Sequence, residues 1–400
     1  MSFLDRYFPP SSPAVRASAR TDFLAGILFG LFSGLTVPFV AVMGRRLGAP
    51  PLAISLLVAA SAIVLVLSLW MVNLVRMRHP VAVVVYPTLI GRSLFLLMPL
   101  VHGATVYVGL IVLYYAIVSI STLGYAQVMR SAYPDDVRGR IMGRVRVGMA
   151  VAWMAASLVG GRLMQLVPFQ WIFAAAAVAG IGSSLVFRRM QVPPVVEETE
   201  PIRLPETARI LLEDQAFRRF LGGFFAFGFG AWLMAPAIPI LLVDVLAASN
   251  FQVGLLGAAT SGMWLVSYAY WGRLIDQRTA TGAVLRVFLI SALTPFVYLL
   301  AWTPWVVLFA GTTDGLTSAG IDLGWLTAVL QYAPPGQVRR YVGIYNTFVG
   351  VRAAIAPFLA GLLIPLLGVR PIFALTIGFI LLGAALVRGA APPRVAASTG

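Results

Sequence analysis

The chain has 400 residues, of which 60% are hydrophobic and 11% are charged, and its mean hydropathy is +0.91. A soluble domain carries roughly twice that fraction of charged residues, so a soluble fold is excluded. The net charge is +15. Cysteine is absent, and this excludes a disulfide framework, a haem attachment site and a thiolate metal site. The basic residues stand between apolar runs, so membrane topology explains them better than nucleic-acid binding does.

Apolar runs of about 20 residues recur along the chain, which is the length that an α-helix needs to cross the hydrocarbon core. Residues 1–21 contain no such run and are typical of a cytoplasmic tail rather than a cleaved signal peptide. The sequence therefore predicts an all-α membrane protein of twelve transmembrane helices. The predicted spans are Asp22–Gly44, Pro50–Val72, Val81–Val101, Gly103–Met129, Ile141–Leu163, Phe169–Phe187, Phe220–Val243, Phe251–Leu274, Thr281–Trp302, Pro304–Leu330, Val342–Pro365 and Pro371–Val387.

Residues 188–219 form the longest hydrophilic stretch and divide the spans into two groups of six. This predicts an N-terminal bundle at 22–187, a cytoplasmic linker at 188–219, a C-terminal bundle at 220–388 and a tail at 389–400. Placing both termini in the cytoplasm puts 23 of the 29 basic residues inside, as the positive-inside rule requires. The other six lie outside or within the membrane: Arg45, Arg46, Arg162, Arg370, Arg92 and Arg352.

The two halves correspond when the second is shifted by 200 residues, without a gap. The matches with most weight are proline, arginine and glycine residues in predicted loops. They pair Pro134, Arg140 and Gly143 with Pro334, Arg340 and Gly343. Two halves in the same orientation form a parallel repeat, related by a pseudo-twofold axis along the membrane normal.

The loop after span eight reads WGRLIDQR from residue 271 to 278. Its Gly272, Asp276 and Arg278 resemble the G-x-x-x-D-R/K signature of the major facilitator superfamily. The resemblance implies the twelve-helix fold of that family, transport by alternating access, and a monomer in a bacterial inner membrane, closest to uncharacterised or drug-efflux-like members. In the first half the equivalents of Gly272 and Asp276 are Val72 and Arg76, so the signature is complete in one copy.

The resemblance also implies a gate. Asp276 is expected to interact with the positive N-terminal end of span five, near Arg140 and Gly143. This would hold the two halves together on the cytoplasmic side when the protein faces outward. A capping or solubilising carboxylate is the alternative role.

Two acids lie inside span ten, where an ionisable group is costly and marks a functional site by default. Asp314 and Asp322 are about 80° apart around a helix, so both can face one cavity. Asp314 is the candidate proton carrier. Asp322 and Arg352 lie at similar predicted depth and can form a buried ion pair, whose alternative roles are a structural contact, a gate and a proton-sensitive switch. The alternative role for this part of span ten is helix packing through small residues.

The family fold places spans one, four, seven and ten around the central cavity. Tyr114, Tyr115 and Gln127 in span four and Trp232 in span seven are therefore candidate cavity residues, with anchoring at the membrane interface as the alternative. Arg92 in span three has no acid at its depth. It would bind a substrate anion or, more in keeping with its peripheral span, backbone carbonyls.

The favoured function is a secondary transporter that exports a lipophilic or amphipathic solute against protons. An organic-anion or metabolite carrier that uses the buried arginines is the alternative, and a membrane scaffold or sensor that transports nothing is a third possibility. The sequence contains no nucleophile–base set or phosphate loop, so an enzyme is not expected. No cofactor, metal or nucleic-acid partner is expected either; the two histidines, His79 and His102, lie at opposite ends of one span.

Overall fold

The computed structural model describes residue 8 and residues 12–60, 79–192, 210–277, 280–334 and 336–390. Regular structure in these ranges is helical. The α-helices are α1 (Pro13–Arg46), α2 (Pro51–Ala60), α3 (Pro80–Ser93), α4 (Ala104–Val118), α5 (Ile120–Ala132), α6 (Asp135–Leu163), α7 (Phe169–Phe187), α8 (Gln215–Met234), α9 (Ala237–Ile240), α10 (Asn250–Gln277), α11 (Ala280–Ser291), α12 (Leu293–Leu300), α13 (Val307–Tyr332), α14 (Val338–Leu367) and α15 (Arg370–Arg388). A 3₁₀ segment follows α3 at Leu94–Leu100, and a π-helical turn follows α9 at Leu241–Val245.

Each predicted span coincides with described helix, which confirms the all-α membrane fold. Span two is described only over α2, and the remainder of that span lies outside the described residues. Within the described ranges, nine helical stretches are long and apolar enough to cross a membrane. The nine do not include α10 and α13, which correspond to spans eight and ten.

Several spans consist of two consecutive helical segments rather than one. Span four is α4 followed by α5, with the break at Ser119. Span seven breaks at Pro236 between α8 and α9, and span nine breaks just before Pro295. Proline removes a backbone donor and crowds the preceding turn, which accounts for the second and third breaks.

The first helix begins at Pro13, nine residues before the predicted start at Asp22. Ser12 caps it, since its Oγ accepts a hydrogen bond from the Val15 amide at 3.3 Å. Proline suits the first helical position, where its missing N–H is not needed. Asp22 therefore lies inside a helix and not at its end.

The chain forms two compact units. The first comprises Met1–Glu198 together with Leu242–Gly262, and the second comprises Thr199–Leu241 together with Met263–Gly400. In the first unit α1 packs against α6 and α7. In the second unit α8 packs against α14 and α15, and α11 packs against α13.

Within each unit, small residues and aromatic rings allow the helices to pack closely. In the first unit a Cβ at Gly30 would collide with the Met149 carbonyl, so the glycine allows α1 and α6 to approach closely. In the second unit the rings of Phe227 and Phe288 stack in parallel, with centroids 4.0 Å apart. Van der Waals packing of this kind drives helix association where lipid removes the hydrophobic driving force.

Helix boundaries follow the offset of 200 residues that the sequence shows. Helix α3 begins at Pro80 and α11 at Ala280, while α5 ends at Ala132 and α13 at Tyr332. At the same offset, Asp314 and Asp322 correspond in sequence to Tyr114 and Thr122 of the first half. The two halves therefore share helix positions, but the two acids of α13 have no acidic counterpart in the first half.

Candidate solute-binding cavity

A cavity of about 390 Å³ lies within the second unit, between residues of α8 and of α10 to α15. Phe227, Trp232 and Trp264 supply its aromatic lining. Its polar lining consists of Ser291, Thr294, Asp314, Thr317, Ser318, Asp322 and Arg352. A concave, mainly apolar site with a few convergent polar groups has the properties of a small-molecule site.

Asp314 reaches the cavity from the first half of α13 and is partly buried. The neighbouring hydroxyls are engaged elsewhere. Thr317 donates to the Thr313 carbonyl at 2.9 Å, and the Thr294 and Thr313 hydroxyls bond to each other at 2.8 Å. Among the described residues, none donates a hydrogen bond to the Asp314 carboxylate. An ionised carboxylate in this position lacks the partners that normally offset its burial.

Asp322 lies two turns further along α13 and is exposed to the cavity. Its carboxylate accepts a hydrogen bond of 2.6 Å from the hydroxyl of Tyr268 on α10. The Tyr268 ring packs edge-on against Trp264, with centroids 4.9 Å apart. Asp322 is thus connected through Tyr268 to Trp264, which lines the cavity.

Arg352 enters from α14, and the whole residue is 7% exposed. Its Nη1 donates to the backbone carbonyl of Phe224, and its guanidinium carbon lies 5.8 Å from the centre of the Phe224 ring. Gly228, one turn later on α8, leaves the room for this approach, because a Cβ there would overlap the guanidinium.

The predicted ion pair between Asp322 and Arg352 is not formed. Both side chains line the cavity, but within the described part of the chain no salt bridge of 4.0 Å or less joins them. Arg352 reaches the Phe224 carbonyl through the gap at Gly228, and Asp322 is held by Tyr268. The sequence indicated similar depth for the two residues, but it could not indicate these competing partners.

Helix α10 is fixed to α13 by Trp271, a contact that no sequence pattern indicated. This side chain is fully buried, and its Nε1 donates to the Leu316 carbonyl at 2.7 Å. A Cβ at Gly320 would meet the Trp271 ring at 2.8 Å, so the glycine accommodates the indole. The contact sets the positions of Trp264 and Asp322 on the two helices.

The candidate residues of span four belong to the first unit and do not line this cavity. Tyr114 is buried against Phe95, with ring centroids 4.9 Å apart, and Tyr115 lies beside it and is partly buried. Gln127 is 8% exposed. Tyr114 therefore takes part in packing within the first unit, and a solute-binding role for these three residues stays a prediction.

The residues of the predicted gate are only partly described. Gly272 lies in the last part of α10 with open space around it. Arg140 and Gly143 are exposed near the start of α6. The side chain of Asp276 and the whole of Arg278 lie outside the described residues. The cytoplasmic gate accordingly stays a prediction.

Arg92 is bonded within the first unit. Its Nη1 donates to the Gly180 carbonyl at 2.8 Å and to Ser184 Oγ at 2.9 Å. Its guanidinium also lies 5.0 Å from the centre of the Phe29 ring. These contacts agree with the backbone-carbonyl alternative for Arg92 and leave its charge turned toward protein.

Asp22 is a buried acid that the sequence analysis assigned to the end of a span. It is 3% exposed, and its carboxylate accepts a hydrogen bond of 3.2 Å from the Tyr133 hydroxyl. The Ser12–Pro13 pair is a helix-start signal that would have placed Asp22 inside α1. No group of three or more histidines or acids that could hold a metal occurs among the described residues.

The family model named Major Facilitator Superfamily matches the sequence over residues 23–294 and 220–400. A search of curated proteins finds no significant match. Among solved structures, the chain is similar to the nucleoside transporter NupG, with a TM-score of 0.74 and 12% identity over 94% of this chain and 99% of that one. It is also similar to a bacterial homologue of the human lysosomal transporter Spinster, with a TM-score of 0.64 and 13% identity over 95% and 98% of the two chains.

The human organic anion transporter MFSD10 is a further structural relative, with a TM-score of 0.62 and 14% identity over 94% of this chain and 100% of that one. At these identities the likeness shows the fold alone. The family assignment rests on the two sequence matches, which together run from residue 23 to residue 400. The chain therefore belongs to the major facilitator superfamily and is a secondary transporter of small solutes rather than an enzyme.

Proposed function

We propose that this transporter exports a lipophilic or amphipathic solute in exchange for protons, and that Asp314 carries the proton. The observation that supports the proposal is the position of this carboxylate. It lines a largely apolar cavity, and among the described residues it has no hydrogen-bond donor. A carboxyl group in such a place is most easily accommodated when it is protonated.

Proton exchange follows from alternating access to such a site. When the cavity opens to the side of higher proton concentration, Asp314 takes up a proton, and the loss of its charge favours release of the solute. When it opens to the other side, loss of the proton restores a charged site. The cycle requires only one titrating group on the path.

The lining favours a solute with an apolar body. Phe227, Trp232 and Trp264 present aromatic surface to a volume of about 390 Å³. The arginine-based alternative, an anion carrier, has less support. Arg352 is directed at the Phe224 carbonyl and Arg92 at Gly180 and Ser184. Nη1 of each guanidinium is thus engaged by the protein, and both residues are buried.

Flux into proteoliposomes, with and without an imposed pH gradient, tests the proposal. We expect a pH gradient to drive solute accumulation by the parent protein. Asp314→Asn should abolish this accumulation while downhill exchange of the solute continues. Asp136→Asn is the matched control, because it removes an exposed carboxylate near the start of α6 and should leave the gradient effect intact. Flux that is indifferent to the gradient, or absent for every solute, would contradict the proposal.

We further propose a monomer in a bacterial inner membrane, with bundles at 22–187 and 220–388 joined by a cytoplasmic linker at 188–219. The placement of the arginines supports cytoplasmic tails at 1–21 and 389–400. The chain has no cysteine, so single cysteines can report topology. An impermeant maleimide added to intact cells should label Arg162→Cys and spare Arg188→Cys. The reverse pattern would invert the orientation.

A further inference from the structure

We infer that the solute is an organic cation, whose positive group binds at Asp322 against the wall formed by Tyr268 and Trp264. The inference rests on the proposed use of the cavity as the solute site and adds the chemical class of the ligand. It is carried by the accessible charge of the cavity and by the placement of its aromatic rings.

Three ionisable side chains line the cavity, and they are not equally available. Arg352 is buried, with its Nη1 donating to a backbone carbonyl. Asp322 is exposed to the cavity and Asp314 is partly exposed. The more accessible charges of the cavity are therefore negative. An anionic solute would meet two carboxylates, whereas the one arginine of the lining is only 7% exposed.

The aromatic wall provides a second attraction for a cation. Trp264 and Asp322 both line the cavity, and Tyr268 connects them through a ring contact of 4.9 Å and a hydrogen bond of 2.6 Å. A cation at Asp322 that also contacts the face of the Trp264 indole gains a cation–π attraction, which is strongest for tryptophan. The hydrogen bond from Tyr268 fixes the carboxylate, so little ordering is needed on binding.

Asp314 and Asp322 are far enough apart to have separate roles. Eight residues of α-helix separate them by about 12 Å along the axis. One ammonium group cannot contact both carboxylates across that distance. Asp322, exposed and held by Tyr268, suits the cation, while Asp314, without a donor among the described residues, suits the proton.

The repeated architecture does not itself require these charges. The positions 200 residues earlier carry Tyr114, Thr122 and Ala152 in place of Asp314, Asp322 and Arg352. The same helix positions are thus built without ionisable acids in the first half. A purely structural need for the carboxylates would have to be peculiar to the second half.

Binding of three small phenyl compounds to the full chain in detergent tests the inference. The probes are benzyltrimethylammonium, which is permanently cationic, N-benzylacetamide, which is neutral, and phenylacetate, which is anionic. We expect the cation to bind at least about tenfold more tightly than either of the others. Asp322→Asn should weaken cation binding about tenfold and leave binding of the neutral probe unchanged.

Two further variants guard against a folding defect. Asp322→Glu keeps the charge and should retain the preference for the cation, and Trp264→Leu should weaken cation binding more than neutral binding. Equal binding of all three probes, tighter binding of phenylacetate, or no detectable binding of the cation would overturn the inference. The proposed function can survive a failure of the cation site. Proton-driven flux of a neutral solute would support that function even where the binding tests show no preference for the cation.

Discussion

Gly228 decides where the charge of Arg352 lies. It sits on α8, and a Cβ built there would overlap the Cζ, Nη1 and Nε atoms of Arg352. Gly228→Ala must therefore push the guanidinium away from α8 and break its hydrogen bond to the Phe224 carbonyl. The cavity is the space available to the displaced group, since both residues line it.

The expected loss of stability is the difference between two effects. Replacing glycine by alanine within a helix stabilises it by about 0.5–1 kcal/mol. Losing a hydrogen bond from a charged group costs about 1.5–3 kcal/mol. The variant should therefore be less stable than the parent by about 0.5–2.5 kcal/mol. Its cavity should also bind benzyltrimethylammonium more weakly, because the guanidinium now faces the solute.

Gly222→Ala is the matched control in the same helix, since the nearest atom to its Cβ is Leu386 Cδ1 at 4.0 Å. This variant should gain about 0.5–1 kcal/mol from the helix effect alone. The measurements are the thermal unfolding midpoint in one detergent and the Kd of the cation. If Gly228→Ala unfolds at or above the temperature of Gly222→Ala and binds the cation normally, the assigned role of Gly228 is wrong.

Three other predictions concern parts of the molecule outside the cavity. Arg45 Nε lies 3.0 Å from both carboxylate oxygens of Asp244, and Nη2 lies 2.6 Å from one of them. Because the two side chains are 23% and 34% exposed, a double-mutant cycle of Arg45→Gln with Asp244→Asn should give a coupling energy below about 1 kcal/mol that shrinks in high salt. A larger coupling energy that does not depend on salt would contradict this. Arg92→Met should lower the unfolding midpoint more than Ser184→Ala does, because it removes two charged hydrogen bonds; equal shifts would show that the carbonyl contact contributes little. Asp276→Asn should shift accessibility labelling toward the inward-open state, and an unchanged pattern would rule out the gate.

The positions of the helices followed from the sequence because they depend on local properties. An apolar run of about 20 residues is costly to leave in water and crosses a membrane as a helix wherever it occurs. The offset of 200 residues gave the correspondence of α3 with α11 and of α5 with α13. The early start of α1 at Pro13 is the exception. There the capping signal lay outside the apolar run that was used to place the span.

The candidate site was only partly predictable. The sequence identified Asp314, Asp322, Arg352 and Trp232 as cavity residues because polar and aromatic side chains inside an apolar span need a reason to be there. All four line the cavity of the second unit. The sequence equally proposed Tyr114, which packs against Phe95 in the first unit. Residue type alone does not distinguish a ring that faces a cavity from one that faces a neighbouring helix.

The sequence by itself thus determined the membrane class, the helices and their duplication, since each is set by the hydrophobicity of a continuous stretch. Tertiary structure decided which partners the buried Asp22 and Arg352 have. Arg352 bonds to Phe224 and not to Asp322 because Gly228, distant in sequence, leaves a gap beside it. Hydrogen bonds act over about 3 Å, whereas helix depth read from a sequence is uncertain by a turn or more. The choice between two nearby partners is therefore made by packing.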